Sequence, residues 1–368
     1  MNVSRNTLLA LALGVSAAHA ADDMEEVIVT ADFRQTELMR SAASVSVLGQ
    51  LQMEERGAQH LEDVLSAAPN VSWSTGASRS RFIQMRGVGD LEQYAEPKYY
   101  PAVGVVVDDL ELGSAANAGM LFDVSQVEVL RGPQGTRYGA SAHAGMVKIN
   151  SNAPTDTFEA QLSGGVGNYD SYRYGAVVSG PLGETVNGRI ALQQNKGDGY
   201  MENRALGRDD TNDFDEVTGR AQLSWQPSAD ASYDLALFSF NSDNGYDAYS
   251  LDNDRDSWAD QPGDDDQDTL AVSAKGAWQL GNLGTLQAVA THLDSDLYYS
   301  YDADWVSPEL CERFTCSYGY DTAREIFARE RSQDTVDIRL LGGAESLAAG
   351  DLRYVLGVYA NRNDDDLD

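Results

Sequence analysis

The chain has 368 residues, a length that suits two or three domains, with 26 Lys plus Arg against 58 Asp plus Glu and a formal net charge of −32. So acidic a chain lacks the basic patches that supply most nucleic-acid affinity, and its 42% hydrophobic content is too apolar for wholesale disorder. Glycine is abundant (34), tyrosine outnumbers phenylalanine 18 to 9, and no long apolar run follows residue 20, a composition that suits a membrane β-barrel.

Residues 1–20 read MNVSRNTLLALALGVSAAHA: Arg5 is a positive n-region, Leu8–Ala18 an apolar core, and Ala18-His19-Ala20 a small-residue cleavage site. The apolar run is about half the ~20 residues a spanning helix needs. The reading is a signal peptide cut between Ala20 and Ala21, so the mature protein is exported and any membrane residence comes through strands. Behind the cut lies DDMEEVIVTA, Asp22–Ala31, a short β-prone segment with no turn joining it to a neighbour. Taken alone it is either an ordinary first strand or a strand that a partner adds to its own sheet edge.

From Arg34 to Pro154 short elements alternate. Ser44–Leu48 reads as a strand, and Leu51–Arg56 and His60–Ala67 as short helices ended by Gly57 and by Pro69-Asn70. Phe82–Gly89 reads FIQMRGVG and Ala102–Leu112 reads AVGVVVDDLEL. Between them, Asp90–Pro101 is a loop carrying Tyr94, Tyr99 and Tyr100; loops on a rigid scaffold commonly bind, although exposed tyrosines often do nothing specific.

The stretch Val127–Asn150, VEVLRGPQGTRYGASAHAGMVKIN, opens as a strand, passes through Gly132-Pro133, Gly135 and Gly139, and returns to a strand at Met146–Ile149. A phosphate loop would need Lys-Ser/Thr after its last glycine and a helix downstream; Tyr138-Gly139-Ala140 supplies neither. VEVLRGPQGTRYG resembles instead the diagnostic segment of the plug domain of TonB-dependent outer-membrane receptors, with Arg137 where an apolar residue is usual and Ala144-Gly145 for a Gly-Gly pair. LEDVLSAAPNV, FIQMRGVG and AVGVVVDDLEL resemble further segments of that domain, in its order, with Asp109 replacing a glycine.

The resemblance implies roles for residues already met. EEVIVTA is similar to the family's TonB box, so Glu26, Val27, Ile28, Val29, Thr30 and Ala31 are expected to dock a TonB-type energy-transducing protein of the inner membrane. The loop of Tyr94, Tyr99 and Tyr100 is placed near the outward tip of the plug, where substrate is met. The family implies active transport across the outer membrane of a Gram-negative bacterium, most often of a ferric siderophore, with cobalamin, glycans and other metal chelates as alternatives. It implies no permanently bound cofactor: the iron chelate is cargo.

After Pro154 the chain alternates apolar and polar residues at strand length. Phe158–Gly167, Val217–Gln226, Leu270–Gly281 and Leu352–Asn361 all show period two. A soluble sandwich alternates likewise; the signal peptide and the plug resemblance favour a barrel with its apolar face toward lipid. Short connections, Pro181–Asn187 and Gln226–Ser232, suit periplasmic turns, and long acidic ones, Asp198–Asp215, Asn241–Asp268 and Asp302–Thr322, suit extracellular loops. Asp252, Asp254, Asp256 and Asp264–Asp266 lack the EF-hand glycine and distal glutamate, so the second loop reads as solvated rather than as a Ca²⁺ site. Cys311 and Cys316, with four residues between them in an exported chain, read as a disulfide stapling the third loop. No metal site is expected, because His60, His143 and His292 are scattered.

The expected organisation is a signal peptide (1–20), TonB box and linker (21–36), an α+β plug domain (37–155) and antiparallel transmembrane β-barrel strands (156–368). About nine strand candidates follow residue 156. The resemblance implies roughly 22 strands, needing on the order of 500 residues, so the barrel reads as truncated, with no terminal strand at Asn363–Asp368. A hydrolase is not expected, as no GxSxG or HExxH occurs, and a passive porin or adhesin would need neither plug nor docking strand.

Overall fold

The computed structural model describes residues 28–29, 36–38, 41, 43–74, 82–89, 101–113, 121–135, 141–313, 316, 323–347 and 350–367. The signal peptide with Ala20 and Ala21, the box residues Glu26, Val27, Thr30 and Ala31, and Tyr94, Tyr99 and Tyr100 lie outside the described residues.

The plug is built on a five-stranded sheet. It contains β3 (Ser44–Gly49), β7 (Val103–Val107), β8 (Leu110–Glu111), β9 (Val124–Arg131) and β10 (Gly145–Ser151), in the order β3-β9-β10-β7-β8. Strand β10 runs parallel to β7 and antiparallel to β9. Both faces are covered, which explains why VGVVV reads as a continuous apolar run rather than an alternating one. On one face Val105, Val127, Val129, Val147 and Ile149 pack beneath α1 (Gln50–Arg56) and α2 (Leu61–Leu65) through Met53, Leu61, Val64 and Leu65. Gly57 ends α1 at φ 65°, a left-handed turn that favours glycine. At the start of α2, Asp63 Oδ2 accepts the Gln59 and His60 backbone N–H groups at 2.9 and 3.2 Å. A smaller sheet, β4 (Val71–Ser74), β5 (Phe82–Met85) and β6 (Val88–Gly89), completes the plug.

Two plug details differ from expectation. Ile28–Val29 is a two-residue strand, β1, paired antiparallel with β2 (Thr36–Glu37) rather than standing unpaired. Val29 is fully buried against Val106, Leu130 and Met146, because the second face of the plug sheet is apolar and needs a cover. At the Asp108-Asp109 turn, Asp108 itself takes the positive φ (54°) usually left to glycine, and its Oδ1 accepts the Ser151 N–H at 2.8 Å.

The wall is a nine-stranded antiparallel meander in chain order. Its strands are β11 (Glu159–Val166), β12 (Tyr172–Pro181), β13 (Val186–Gly197), β15 (Phe214–Ser228), β16 (Ala231–Tyr246), β18 (Gly263–Gln279), β19 (Thr285–Asp302), β20 (Arg324–Leu347) and β21 (Gly350–Leu367). Two long loops contribute a further parallel pair, β14 (Glu202–Asn203) with β17 (Asp256–Ser257). Alternation sorts the wall's faces. Leu162, Ile190, Leu235, Leu270, Ile338 and Val358 point outward, at up to 86% exposure, whereas Glu216, Thr218, Arg220, Gln267, Thr269, Arg331 and Thr335 are buried against the plug side. Apolar outside and polar inside is the reverse of a soluble sheet, and so large an apolar surface suits hydrocarbon. Among the described residues no helix is long and apolar enough to cross a membrane.

Two strand boundaries correct the sequence reading. β16 runs on to Tyr246 and β18 begins at Gly263, so Asp264–Asp266 lie on a strand rather than in a loop. Asn363–Leu367 likewise continue β21 instead of forming a strandless tail. In both places the strand has left the apolar belt, both faces are polar, and the period-two signal vanishes while the ladder continues.

Candidate functional site: the outer mouth and the plug contacts

The long connections 198–213, 247–262 and 303–323 leave the wall at one end, together with the short turn 167–171, and the turns 182–185, 229–230 and 280–284 lie at the other. At the long-loop end, the inward side of the wall carries connected aromatic rings. Tyr246 continues the inward series Phe238, Phe240, Ser242, Asn244 of β16, and Tyr299 and Tyr301 continue Leu293, Ser295, Leu297 of β19. Tyr246 meets Tyr299 edge-on at 5.2 Å between centroids, and Tyr299 stacks on Phe327 at 5.9 Å. From the loops, Tyr249 meets Tyr246 at 6.0 Å and stacks on Trp305 at 4.3 Å. Trp305 stays 42% exposed. Rigid rings with one open face can take up a planar or apolar part of a ligand at little entropic cost.

A buried carboxylate fixes the loops behind these rings. Asp247 accepts Asn203 Nδ2 at 2.8 Å and Thr211 Oγ1 at 2.7 Å on one oxygen, and Ser257 Oγ on the other. Two of these charge-assisted bonds tie the first loop to the second, and the third braces the second loop on itself, away from water. Cys311 and Cys316, within and beyond α3 (Pro308–Arg313), are joined by a disulfide with Cα atoms 5.3 Å apart. None of these aromatics was singled out by sequence reasoning. The dense runs NGYDAYS and LYYSYDADW were visible, but strand register alone brings residues 246, 299 and 327 together.

Below the mouth, side chains join plug and wall. His60 Nε2 lies 2.8 Å from Glu216 Oε2, and Arg189 grips Asp123 with two bonds of 2.7 and 2.5 Å. Lys275 Nζ reaches Asp109 at 3.1 Å and anchors the turn to the wall. Tyr359 OH donates to Glu111 Oε1 at 2.9 Å. Burial pushes the Glu111 carboxyl up to about 7, with nearby Asp337 adding to the rise and the Tyr359 bond opposing it. A carboxyl whose folded pKa is raised gives a docking contribution fully present below about 4.5 and lost as pH rises through about 7. Plug unfolding followed by Tm against pH should therefore fall across that window, and Glu111→Gln should flatten the fall; an unchanged slope refutes the assignment.

On the second face of the plug sheet, strand β1 makes few polar contacts among the described residues. Beyond its two-residue pairing, Gln126 Nε2 donates to Ile28 O at 3.1 Å and to Glu128 Oε1 at 2.9 Å.

Residues 37–146 match the family described as the TonB-dependent Receptor Plug Domain. Over 230 residues the chain is 31% identical to a pesticin receptor of Yersinia pestis, covering 60% of this chain and 34% of that protein. Over 276 residues it is 24% identical to a vitamin B12 transporter of Vibrio vulnificus, covering 67% of this chain and 43% of the relative. The chain thus spans about a third to two fifths of the curated relatives it matches. Its fold is similar to the ferric yersiniabactin uptake receptor of Yersinia pestis, with a TM-score of 0.74 at 22% identity, covering 88% of this chain and 49% of that one.

Proposed function

Because the chain belongs to the TonB-dependent receptor family, we propose that the protein captures a scarce chelate, a ferric siderophore, outside the cell and passes it inward across the outer membrane when a TonB-type partner pulls on Glu26–Ala31. One observation carries this reading: a wall apolar outside and polar inside holds a plug, with a loop-braced aromatic surface among the long loops. Nanomolar capture corresponds to about 12 kcal/mol, and passive release from such a site is slow. A partner that does work on the plug answers that problem, and an open pore would not face it. Relatives named for vitamin B12 make cobalamin the second reading.

The ligand is proposed to rest on Tyr249 and Trp305 and to be met from the plug by Tyr94, Tyr99 and Tyr100. Replacing Tyr249 and Trp305 together by alanine should weaken binding of a ferric chelate about 10-fold or more, since truncating central aromatic anchors commonly costs over about 1 kcal/mol each. Titration of iron-loaded siderophores and of cyanocobalamin against purified full-length protein checks this and separates the two readings. Undiminished affinity in the double variant would remove the aromatic surface from the site.

A further inference from the structure

The plug meets its wall in two different ways. Toward β16, β18 and β19, wall residues Phe238, Phe240, Ala271 and Leu293 share a single apolar core with Leu61, Leu110 and Leu121 of the plug. Toward β11–β13 that core gives way to a polar cleft of about 300 Å³ between α1 and the wall. Glu54 on α1 and Gln161, Ser163, Arg173 and Gln193 on the wall line it.

The cleft is closed on the side of the short turns by two plug residues. The Phe122 ring lies on Gly175, so tightly that a Cβ there would come within 2.7 Å of its Cζ. Arg220 donates to the Phe122 carbonyl while its guanidinium lies over the Phe238 ring at 5.6 Å. Asp123 sits at φ 57°, a left-handed conformation rare for a non-glycine residue, and is held there by Arg189 and by Asn152 Nδ2 at 2.8 Å. A closure made of one ring on a glycine and a few charge-assisted bonds can be exchanged for water. The apolar seam on the far side cannot be parted so cheaply.

We propose that the Phe122–Asp123 clasp is the gate of the solute passage and that the passage runs between α1 and β11–β13. Opening the clasp joins the cleft to the inner side and uncovers Arg189 and Arg220 beside Arg173. Arg173, Arg189 and Arg220 then face the route beside Glu54, Glu159 and Asp123, with Glu159 4.0 Å from Arg189 Nη1, so the opened path is polar and close to charge-balanced.

The inference deepens the proposed transport reading, but its test needs neither ligand nor energising partner, so the two can fail separately. Full-length protein carrying Phe122→Ala with Asp123→Ala is placed in liposomes loaded with carboxyfluorescein. The dye should escape about 10-fold faster than from the parent protein. Lys275→Ala, which breaks a plug–wall ion pair on the apolar side, should stay tight. Gly175→Ala, which displaces the Phe122 ring without touching any charge, should leak in the same sense and covers the case in which the double variant fails to fold. Tight clasp variants, or an equal leak from Lys275→Ala, overturn the gate.

Discussion

Deleting Glu26–Ala31 is expected to abolish energised uptake while leaving surface binding of the ligand within about two-fold of the parent protein. The two activities would separate because β1, the proposed docking strand, covers the face of the plug sheet that lies away from the aromatic rings. Among the described residues, β1 contributes two residues of ladder, paired with β2, and accepts one side-chain bond, from Gln126 Nε2 to Ile28 O. So short a pairing is marginal in water. A partner offering a longer sheet edge can replace it and gain main-chain hydrogen bonds in doing so. Val29 is the piece that opposes exchange, since withdrawing it exposes Val106, Leu130 and Met146. The same withdrawal brings water to Glu128, which is fully buried and directly opposite Lys148 on β10, and whose hydration offsets part of that apolar cost. Val29→Pro is the gentler variant: it removes one N–H donor, leaves the rest of the segment, and should reduce uptake at least 10-fold. Radiolabelled ligand uptake by energised cells, set beside binding to poisoned cells, measures both quantities. Uptake that survives the deletion would end the energised reading.

Why some of this was readable from residues and some was not follows from how each feature is encoded. The plug strands around Val127–Asn150 are local: a strand, a glycine-rich turn and a return strand declare themselves within 24 residues. The wall is also local wherever one face meets lipid, as at Val217–Gln226, because alternation then follows the pleat. It stops being legible where a strand rises out of the apolar belt. Asp264–Asp266 and Asn363–Leu367 are strand by hydrogen bonding alone, and acidic runs imitate loops. The contacts that matter most are the least local. Asp123 and Arg189 stand 66 positions apart and His60 and Glu216 156 apart, and each pair is joined only when the plug enters the wall. Nor does a motif announce that Asp109 will reach Lys275; the departure from glycine was visible, its partner was not.

Placing an arginine at Ile338 is expected to destabilise the folded wall by roughly 2–4 kcal/mol, the cost of a cation on the lipid face near the bilayer midplane. Ile338 points outward between Ala288 and Val358, and Val358 is 73% exposed, so the site is surrounded by apolar surface with no inward path for a long side chain. The same substitution at Ser332, six residues up the same face, should cost no more than about 1 kcal/mol. There the neighbours across the ladder are Asp294 and Asp364, which would welcome a cation in the headgroup region. The pair of measurements, urea or guanidinium unfolding in phospholipid vesicles, separates lipid from water as the medium outside the wall. In water an exposed isoleucine replaced by arginine costs almost nothing, since surface changes away from special features stay within about 0.5 kcal/mol. Equal and small effects at both positions would therefore mean that the apolar belt does not face hydrocarbon, and the plug would no longer be the stopper of a membrane passage.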